Sequence, residues 1–342
     1  MVAGSKPSQT KFLRYSHTVG LSAMSGRGFY YPVSTAIGRD GKIYTLSRSL
    51  EGDPRGVRVT IAGLDSEYYG VFGSYGEKEG EMVWPTAISI GADDRFYIAD
   101  EYTNLISVFD SSGEFSNRWG TSGTAEGQLD GPSGLAFDSE GLLLVVDHQN
   151  HRVQRYTTDG EFVSSFGTRG KSQAEFDLPW GVDVGPDGAI YVADWQNDRV
   201  QKFSPDGDFV RTYGSSGQGD GEFSKPADVT VDEEGHIYVA DWANQRVQVL
   251  DADGGFVTKL RGEATPSKWA EEFLSINLEE AAARQKSDLE PDVPWTKGDP
   301  HEESWHIEKL FWAPTSVTLD TDVRLYVTES NRHRVQIYER AT

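Results

Sequence analysis

The amino-acid sequence predicts an all-β protein, a six-bladed β-propeller of four-stranded antiparallel blades, and three observations carry the prediction. The stretch from Pro179 to Lys225 alternates apolar and polar residues in four strand-length bursts: Val182 to Val184, Ile190 to Val192, Val200 to Phe203 and Phe209 to Tyr213. Two of the joins are Pro-Asp-Gly, at Pro186-Asp187-Gly188 and Pro205-Asp206-Gly207. Proline presets φ and glycine tolerates a positive φ, so both joins read as hairpin turns and the unit as a meander. The unit then repeats, because Pro85, Pro132, Pro179 and Pro226 are each 47 residues apart, with Pro32 a further 53 before Pro85. Such a period, with a two-residue alternation inside it, belongs to a propeller blade and not to a helical solenoid. Finally, the unit opening at Pro314 has sequence for three strands before Thr342, while Phe12-Leu13-Arg14-Tyr15 resembles Phe209-Val210-Arg211-Thr212 and supplies a fourth. The N-terminal strand is therefore expected to complete the last blade and close the ring, leaving no open sheet edge.

The segments IYVADWQNDRVQKF, IYVADWANQRVQVL, LLVVDHQNHRVQRY and LYVTESNRHRVQIY, one from each of blades four, five, three and six, resemble the NHL repeat. The resemblance extends over nearly the whole chain and implies one propeller domain, residues 1–342. The repeats leave no linker between them.

Charge narrows the partners. Against 32 basic residues stand 54 acidic ones, a formal charge of −22. A surface that acidic repels phosphate backbones unless its basic residues cluster, and they do not, so nucleic acid is not an expected partner. The bland reading of the charge is a solubilising surface. No cysteine is present, which excludes disulfides, thiolate nucleophiles and thiolate metal sites. No run of residues is long and apolar enough for a membrane span, and Met1 to Thr10 lacks the layout of a signal peptide. The expectation is a monomeric cytoplasmic protein.

Along the chain, the first departure from the repeat is in blade one. Aligned on Asp194 to Arg199, the stretch from Ser47 to Arg58 is six residues longer and carries Glu51, Asp53, Pro54 and Arg55. In an up-and-down meander that loop joins strands two and three, on the face that also carries every blade-to-blade connection. All the length variation falls there, and variable loops on a rigid scaffold carry function. Two rings of residues are expected at the channel mouth on this face. The residue after each second-strand acid is Arg48, Glu101, His148, Trp195, Trp242 and Ser330 in blades one to six, with Tyr102 beside Glu101. Near each leading proline stand Ser34, Thr86, Ser133, Trp180, Asp228 and Thr315. An arginine, a glutamate, a histidine, an aspartate and three tryptophans converging on one opening describe a ligand pocket.

The bland readings stand beside this one. Asp100, Asp147, Asp194, Asp241 and Glu329 recur at one blade position and are expected to bond backbone or the arginines Arg152, Arg199, Arg246 and Arg334. His151 and His333 occupy a repeat position and read as structural. Trp195 and Trp242 suit inter-blade packing as well as ligand stacking.

The second departure is the interval from Pro226 to Pro314, 88 residues, or 41 more than the regular period. The excess, residues 264–310, includes SKWAEEFLSINLEEAAARQKSDLE, whose Trp269, Phe273, Ile276 and Leu278 make an apolar stripe on a predicted helix. An insertion of this length is expected to dock on the propeller as a cap. Its HEESWH segment is not a helical zinc motif, because His301 and His306 are five apart and so roughly 140° apart around an ideal helix. Either histidine is nevertheless a candidate to meet His148 across the mouth.

Six-bladed relatives of the repeat include peptidyl-hydroxyglycine amidating lyases, with a histidine-bound metal in the channel, and gluconolactonase-like calcium hydrolases. The lyase ligands sit just after the leading proline, where this chain has Thr86, Ser133, Trp180, Ala227 and Thr315 and no histidine. That triad is not carried over. The hydrolase type implies Glu, Asn and Asp ligands near the axis, for which Asp228 with Glu101 is the candidate calcium pair here; His148 is a further candidate metal ligand, with calcium or zinc as the metal and no organic cofactor expected. The expected function is a lyase or hydrolase acting on a small aromatic or carbonyl-bearing molecule beneath the cap. His148, Arg48 and Glu101 are the expected catalytic residues, and Trp180, Trp195, Trp242, Asp228, Tyr102, His301 and His306 the substrate-binding ones. The alternative is a non-catalytic propeller that binds a peptide or protein.

Overall fold

A computed structural model of the chain describes residues 12–49 and 54–341. It shows six four-stranded antiparallel sheets arranged as blades of one ring. Blade four runs Val182–Val184, Ile190–Asp194, Arg199–Phe203 and Phe209–Tyr213, as its alternation predicts. Blade six takes Pro314–Leu319, Leu325–Glu329 and Arg334–Arg340 from the C-terminal end and its outer strand, Leu13–Val19, from the N-terminal end. The ring is thus closed by the predicted exchange. Met1 to Thr10 and the loop residues Glu51 and Asp53 lie outside the described residues.

Apolar residues on both faces of each sheet pack against the neighbouring blades, giving six clusters, one per seam. Between blades three and four, for example, Leu144, Val146, Val153, Phe176, Val192 and Phe203 are all fully buried. Each such side chain contributes about 1.5–3 kcal/mol by leaving water.

Two polar devices recur on top of this packing. The first is a clamp within each of blades three to six. Asp194 accepts from the backbone N–H of Asp177 and from Asn197, Arg199 and Gln201, while Arg199 also donates to the carbonyls of Lys171, Ser172 and Glu175. Asp147 with Arg152, Asp241 with Arg246 and Glu329 with Arg334 repeat the arrangement. The second device is a latch between blades. A residue with positive φ, just after the second strand, accepts from the backbone N–H that precedes the next leading proline. Asn104 latches Gly131, His151 latches Leu178, Asp198 latches Lys225, Gln245 latches Ala313 and His333 latches Tyr31. His151 and His333 are therefore structural, as expected.

Between blades five and six lie three helices, α1 (Lys268–Ile276), α2 (Leu278–Lys286) and α3 (Pro300–His306). Ser267 caps α1 by accepting from the Ala270 N–H, and Asp299 caps α3 through the N–H groups of His301 and Glu302. The excursion is not a lid over the mouth. Trp269 is only 1% exposed and sits in the seam between blades six and one, edge-on to Phe29 and Tyr68, with its Nε1–H donating to the Ser66 carbonyl. Thr265 reaches Tyr15, Ser267 bonds the Gly20 carbonyl and Glu272 pairs with Arg27. An indole is large enough to fill the gap where the N-terminal strand enters, so burial at the seam wins over a position above the channel. The insertion is a clasp on the ring closure.

Candidate functional site

The mouth of the channel is built from two repeat positions, filled by residues of five of the six blades. The position after the leading proline supplies Val33, Thr86, Trp180, Ala227 and Thr315, and the position after the second-strand acid supplies Arg48, Trp195 and Trp242. Together they line a cavity of about 190 Å³. No residue of the helical insertion contributes to its wall.

A bulge after the leading proline sets this arrangement. The ladder with the second strand slips between Pro226 and Asp228, and equivalent slips follow Pro32, Pro85 and Pro314. A bulge adds one residue and re-aims the side chains after it. As a result Ala227 faces the mouth, while Asp228 belongs to the next ring down, with Ser34 and Ser316. The sequence alignment placed Asp228 in the mouth ring; it lines the deeper channel of about 320 Å³ instead. Trp180 lines both cavities and joins them.

The three tryptophans touch in series. The Trp180 and Trp195 centroids are 6.4 Å apart, and those of Trp195 and Trp242 are 6.3 Å apart, with tilts of 46° and 58°. Lys225 lies over Trp195 at 4.9 Å. Opposite them the Arg48 guanidinium is stacked on Trp84 at 4.7 Å. Burial lowers its pKa, and the nearby Glu101 carboxylate opposes that shift. Among the described residues no hydrogen bond or ion pair reaches this guanidinium.

His148 and Glu101 stand behind the mouth. The His148 ring is edge-on to Trp180 at 4.8 Å, and its Nδ1 lies 2.9 Å from the Pro179 carbonyl. A carbonyl only accepts, so Nδ1 carries the proton and Nε2 holds the free lone pair. Burial lowers the His148 pKa and keeps the ring neutral. Burial raises the Glu101 pKa, against the pull of Arg48. Neither residue lines the cavity, so in this structure both position the mouth residues from behind. Tyr102 is 67% exposed and also lies outside the cavity wall. His301 is edge-on to Trp312, and His306 is packed against Trp295 and Trp305. The structure does not bring either of them to His148.

Two carboxylates occupy the deeper channel. Asp228 accepts from the N–H groups of Val229 and Val317, yet burial raises its pKa to about 7. Asp183 accepts from Thr230 and from the Val231 N–H, and burial raises its pKa to about 6. Both acids thereby tie the inner strands of blades four, five and six together. Gly181 permits the close approach, since a Cβ there would lie 2.3 Å from Asp228 Oδ1. Asp183 is missing from the sequence-derived set. Its signal was a carboxylate at the centre of an innermost strand, where the channel is the only polar surface available.

The residues named for a metal do not fit one. Asp228, Glu101 and His148 do not converge, and both Asp228 oxygens already accept backbone bonds. Among the described residues the one close cluster of three suitable side chains is Asp232, Glu234 and His236, and the Arg340 guanidinium already sits against all three. No helix among the described residues is long and apolar enough to cross a membrane.

The sequence matches the NHL repeat over residues 129–156 and 311–338, and a six-bladed β-propeller family over residues 185–271. Its solved structural neighbours include a catalytically inactive virginiamycin B lyase from Staphylococcus aureus with quinupristin, 12% identical. That match covers 96% of this chain and 88% of the other, with a TM-score of 0.56. A protein of unknown function from Bacteroides thetaiotaomicron is 18% identical over 96% of this chain and 75% of its own, with a TM-score of 0.60. An auxiliary nutrient binding protein from Bacteroides ovatus is 12% identical over 97% and 77%, also at 0.60. At such identities the likeness concerns the fold. No curated protein matches the chain.

Proposed function

We propose that this propeller is an enzyme of the lyase or hydrolase type, acting on a small aromatic or carbonyl-bearing molecule bound at the channel mouth. The observation that carries the reading is the mouth itself: three tryptophans facing a half-buried guanidinium that donates no hydrogen bond to the described residues, above a carboxylate whose pKa is about 7. A lyase among the neighbours of the fold supports the direction without fixing the substrate.

The tryptophans supply apolar walls for the substrate ring. Arg48 donates N–H bonds to the carbonyl oxygen and stabilises the negative charge that develops there, either in an enolate or in a tetrahedral intermediate. Asp228 takes a proton, in an elimination from the carbon next to the carbonyl while the group on the β carbon leaves with its bonding pair, or in a hydrolysis from the attacking water before returning it to the departing alcohol or amine; a pKa near the working pH suits a general base. His148 holds Trp180 in place and Glu101 orients Arg48. These steps need no metal ligand beyond the residues named.

The test is turnover of a panel of aromatic esters, lactones and hydroxylated amides in water labelled with heavy oxygen. A hydrolase incorporates the label into product and a lyase does not. Arg48→Met and Asp228→Asn should each lower kcat/KM at least a hundredfold. Activity unchanged in both variants would place the chemistry elsewhere.

One observation favours a second reading, the peptide- or protein-binding scaffold. Trp295 and Trp305 on the insertion are 61% and 57% exposed, and Trp305 lies nearly parallel to both His306 and Trp312. Exposed indoles of this kind mark a contact surface. A scaffold would show no turnover with the panel and would lose its partner in Trp305→Ala.

A further inference from the structure

We propose that the molecule recognised at the mouth is a single-ring aromatic carboxylate, its carboxylate held by Arg48 and its ring by Trp180, Trp195 and Trp242. This rests on the preceding reading of the mouth as the binding site and adds the ligand's charge, size and shape.

The charge comes from a contrast among the buried arginines. Arg58 donates to the carbonyls of Met24, Ala23 and Gly28. Arg152, Arg199, Arg246 and Arg334 each pair with a carboxylate and also donate to backbone carbonyls. Arg48 is half-buried, as Arg152 and Arg199 are, but has none of these partners among the described residues. It is fixed by Trp84 on one face and open to the cavity. A buried guanidinium with unused N–H groups is costly unless a ligand takes them. A carboxylate matches the planar fork with two parallel bonds. Glu101 beside Arg48, with Asp183 and Asp228 below, disfavours the double charge of a phosphate ester.

The size and shape come from the walls. A cavity of about 190 Å³ holds about six waters at roughly 30 Å³ each, the space of one six-membered ring with a short polar tail. Three indoles tilted by 46° and 58° to one another present faces and edges to a flat guest. They are the apolar part of the lining, opposite Arg48.

The experiment is calorimetric titration of the full chain with benzoate and phenylacetate, with benzamide and acetate as controls, followed also by quenching of tryptophan fluorescence. Saturable binding of an aromatic carboxylate is expected, at least tenfold tighter than benzamide, with acetate not binding. Arg48→Met keeps the aliphatic stem on Trp84 and should weaken benzoate at least tenfold and benzamide by clearly less. Glu101→Gln removes a competing carboxylate and should tighten benzoate severalfold. Benzamide binding as tightly as benzoate, no aromatic carboxylate binding at all, or benzoate unaffected by Arg48→Met would each overturn the proposal. If Arg48→Met fails to fold, the benzoate and benzamide comparison on the unaltered chain decides. The two proposals fail separately: carboxylate binding without any turnover leaves the ligand class standing and removes the enzyme. Turnover of neutral esters that no aromatic carboxylate inhibits does the reverse.

Discussion

Five seams of the ring carry the latch, and the seam between blades one and two does not. From blade two onward, a positive-φ residue reaches across to the backbone N–H before the next leading proline, whether that residue is Asn104, His151, Asp198, Gln245 or His333. Among the described residues blade one has no such residue, and six extra residues stand in place of the short turn that holds it elsewhere. The Trp84 N–H turns back instead to Asp100 of its own blade. The clamp is also altered there: Ser47 stands where the other blades have an acid, and Arg58 satisfies itself on carbonyls. Arg48 and Glu101 occupy this relaxed seam. Where the repeat is kept, its polar side chains are fully used in holding the ring. Where it is broken, charged groups are left over, and those are the groups available to a ligand.

Three substitutions sharpen the contrast. The largest effect belongs to the intact clamp: Asp194→Ala strands Arg199 and several N–H groups, and should cost about 3–5 kcal/mol in urea unfolding. The matching change in blade one, Ser47→Ala, loses a single long bond from the Tyr30 N–H at 3.4 Å and should cost below about 1 kcal/mol. Equal losses at the two positions would erase the distinction between the seams.

The latch comes next. His333→Ala should cost about 1–3 kcal/mol by leaving the Tyr31 N–H unpaired. The same latch makes stability depend on pH. Burial lowers the His333 pKa to about 4, whereas an unfolded histidine takes its proton near about 6.5. The unfolded state therefore binds more protons between these values, so the stabilisation is complete above about pH 6.5 and is lost as the pH falls towards about 4. The urea midpoint should drop across that window, and His333→Asn should flatten the part of the slope that His333 causes. A slope unchanged in that variant would assign it to other groups.

The smallest effect comes from repairing the broken seam. Replacing the chain between Ser47 and Arg58 by the Trp195 to Asp198 turn of blade four would supply a latch for blade two. It should add about 1 kcal/mol while abolishing benzoate binding, since it deletes Arg48. Retained binding in that chimera would move the site away from blade one.

Much of the fold was legible because it is periodic. The 47-residue proline spacing gave blade boundaries, and the alternation gave strands that the structure reproduces, such as Ile190–Asp194. The structural role of the repeated acids followed from their recurrence. The candidate site was legible in part. Arg48, Trp180, Trp195 and Trp242 line one cavity, while Glu101 and His148, which share the repeat position of Arg48, Trp195 and Trp242, lie outside it. Asp228 was placed one ring too high, because a bulge shifts register without changing the pattern of residue types. His301 and His306 were assigned to the mouth because nothing in the helical segment says which side of blade six it follows. That was decided by Trp269, whose indole fits the seam.

By itself the sequence determined the number of blades, the strands within them and the N-terminal closure, because each follows from local alternation and from a repeat that any single blade displays. Only the tertiary structure decided which side chains share a cavity, which arginine lacks a hydrogen-bond partner among the described residues and where the insertion lies. These depend on contacts between residues tens to hundreds of positions apart, on bulges that re-aim side chains, and on the seam between blades six and one that takes Trp269.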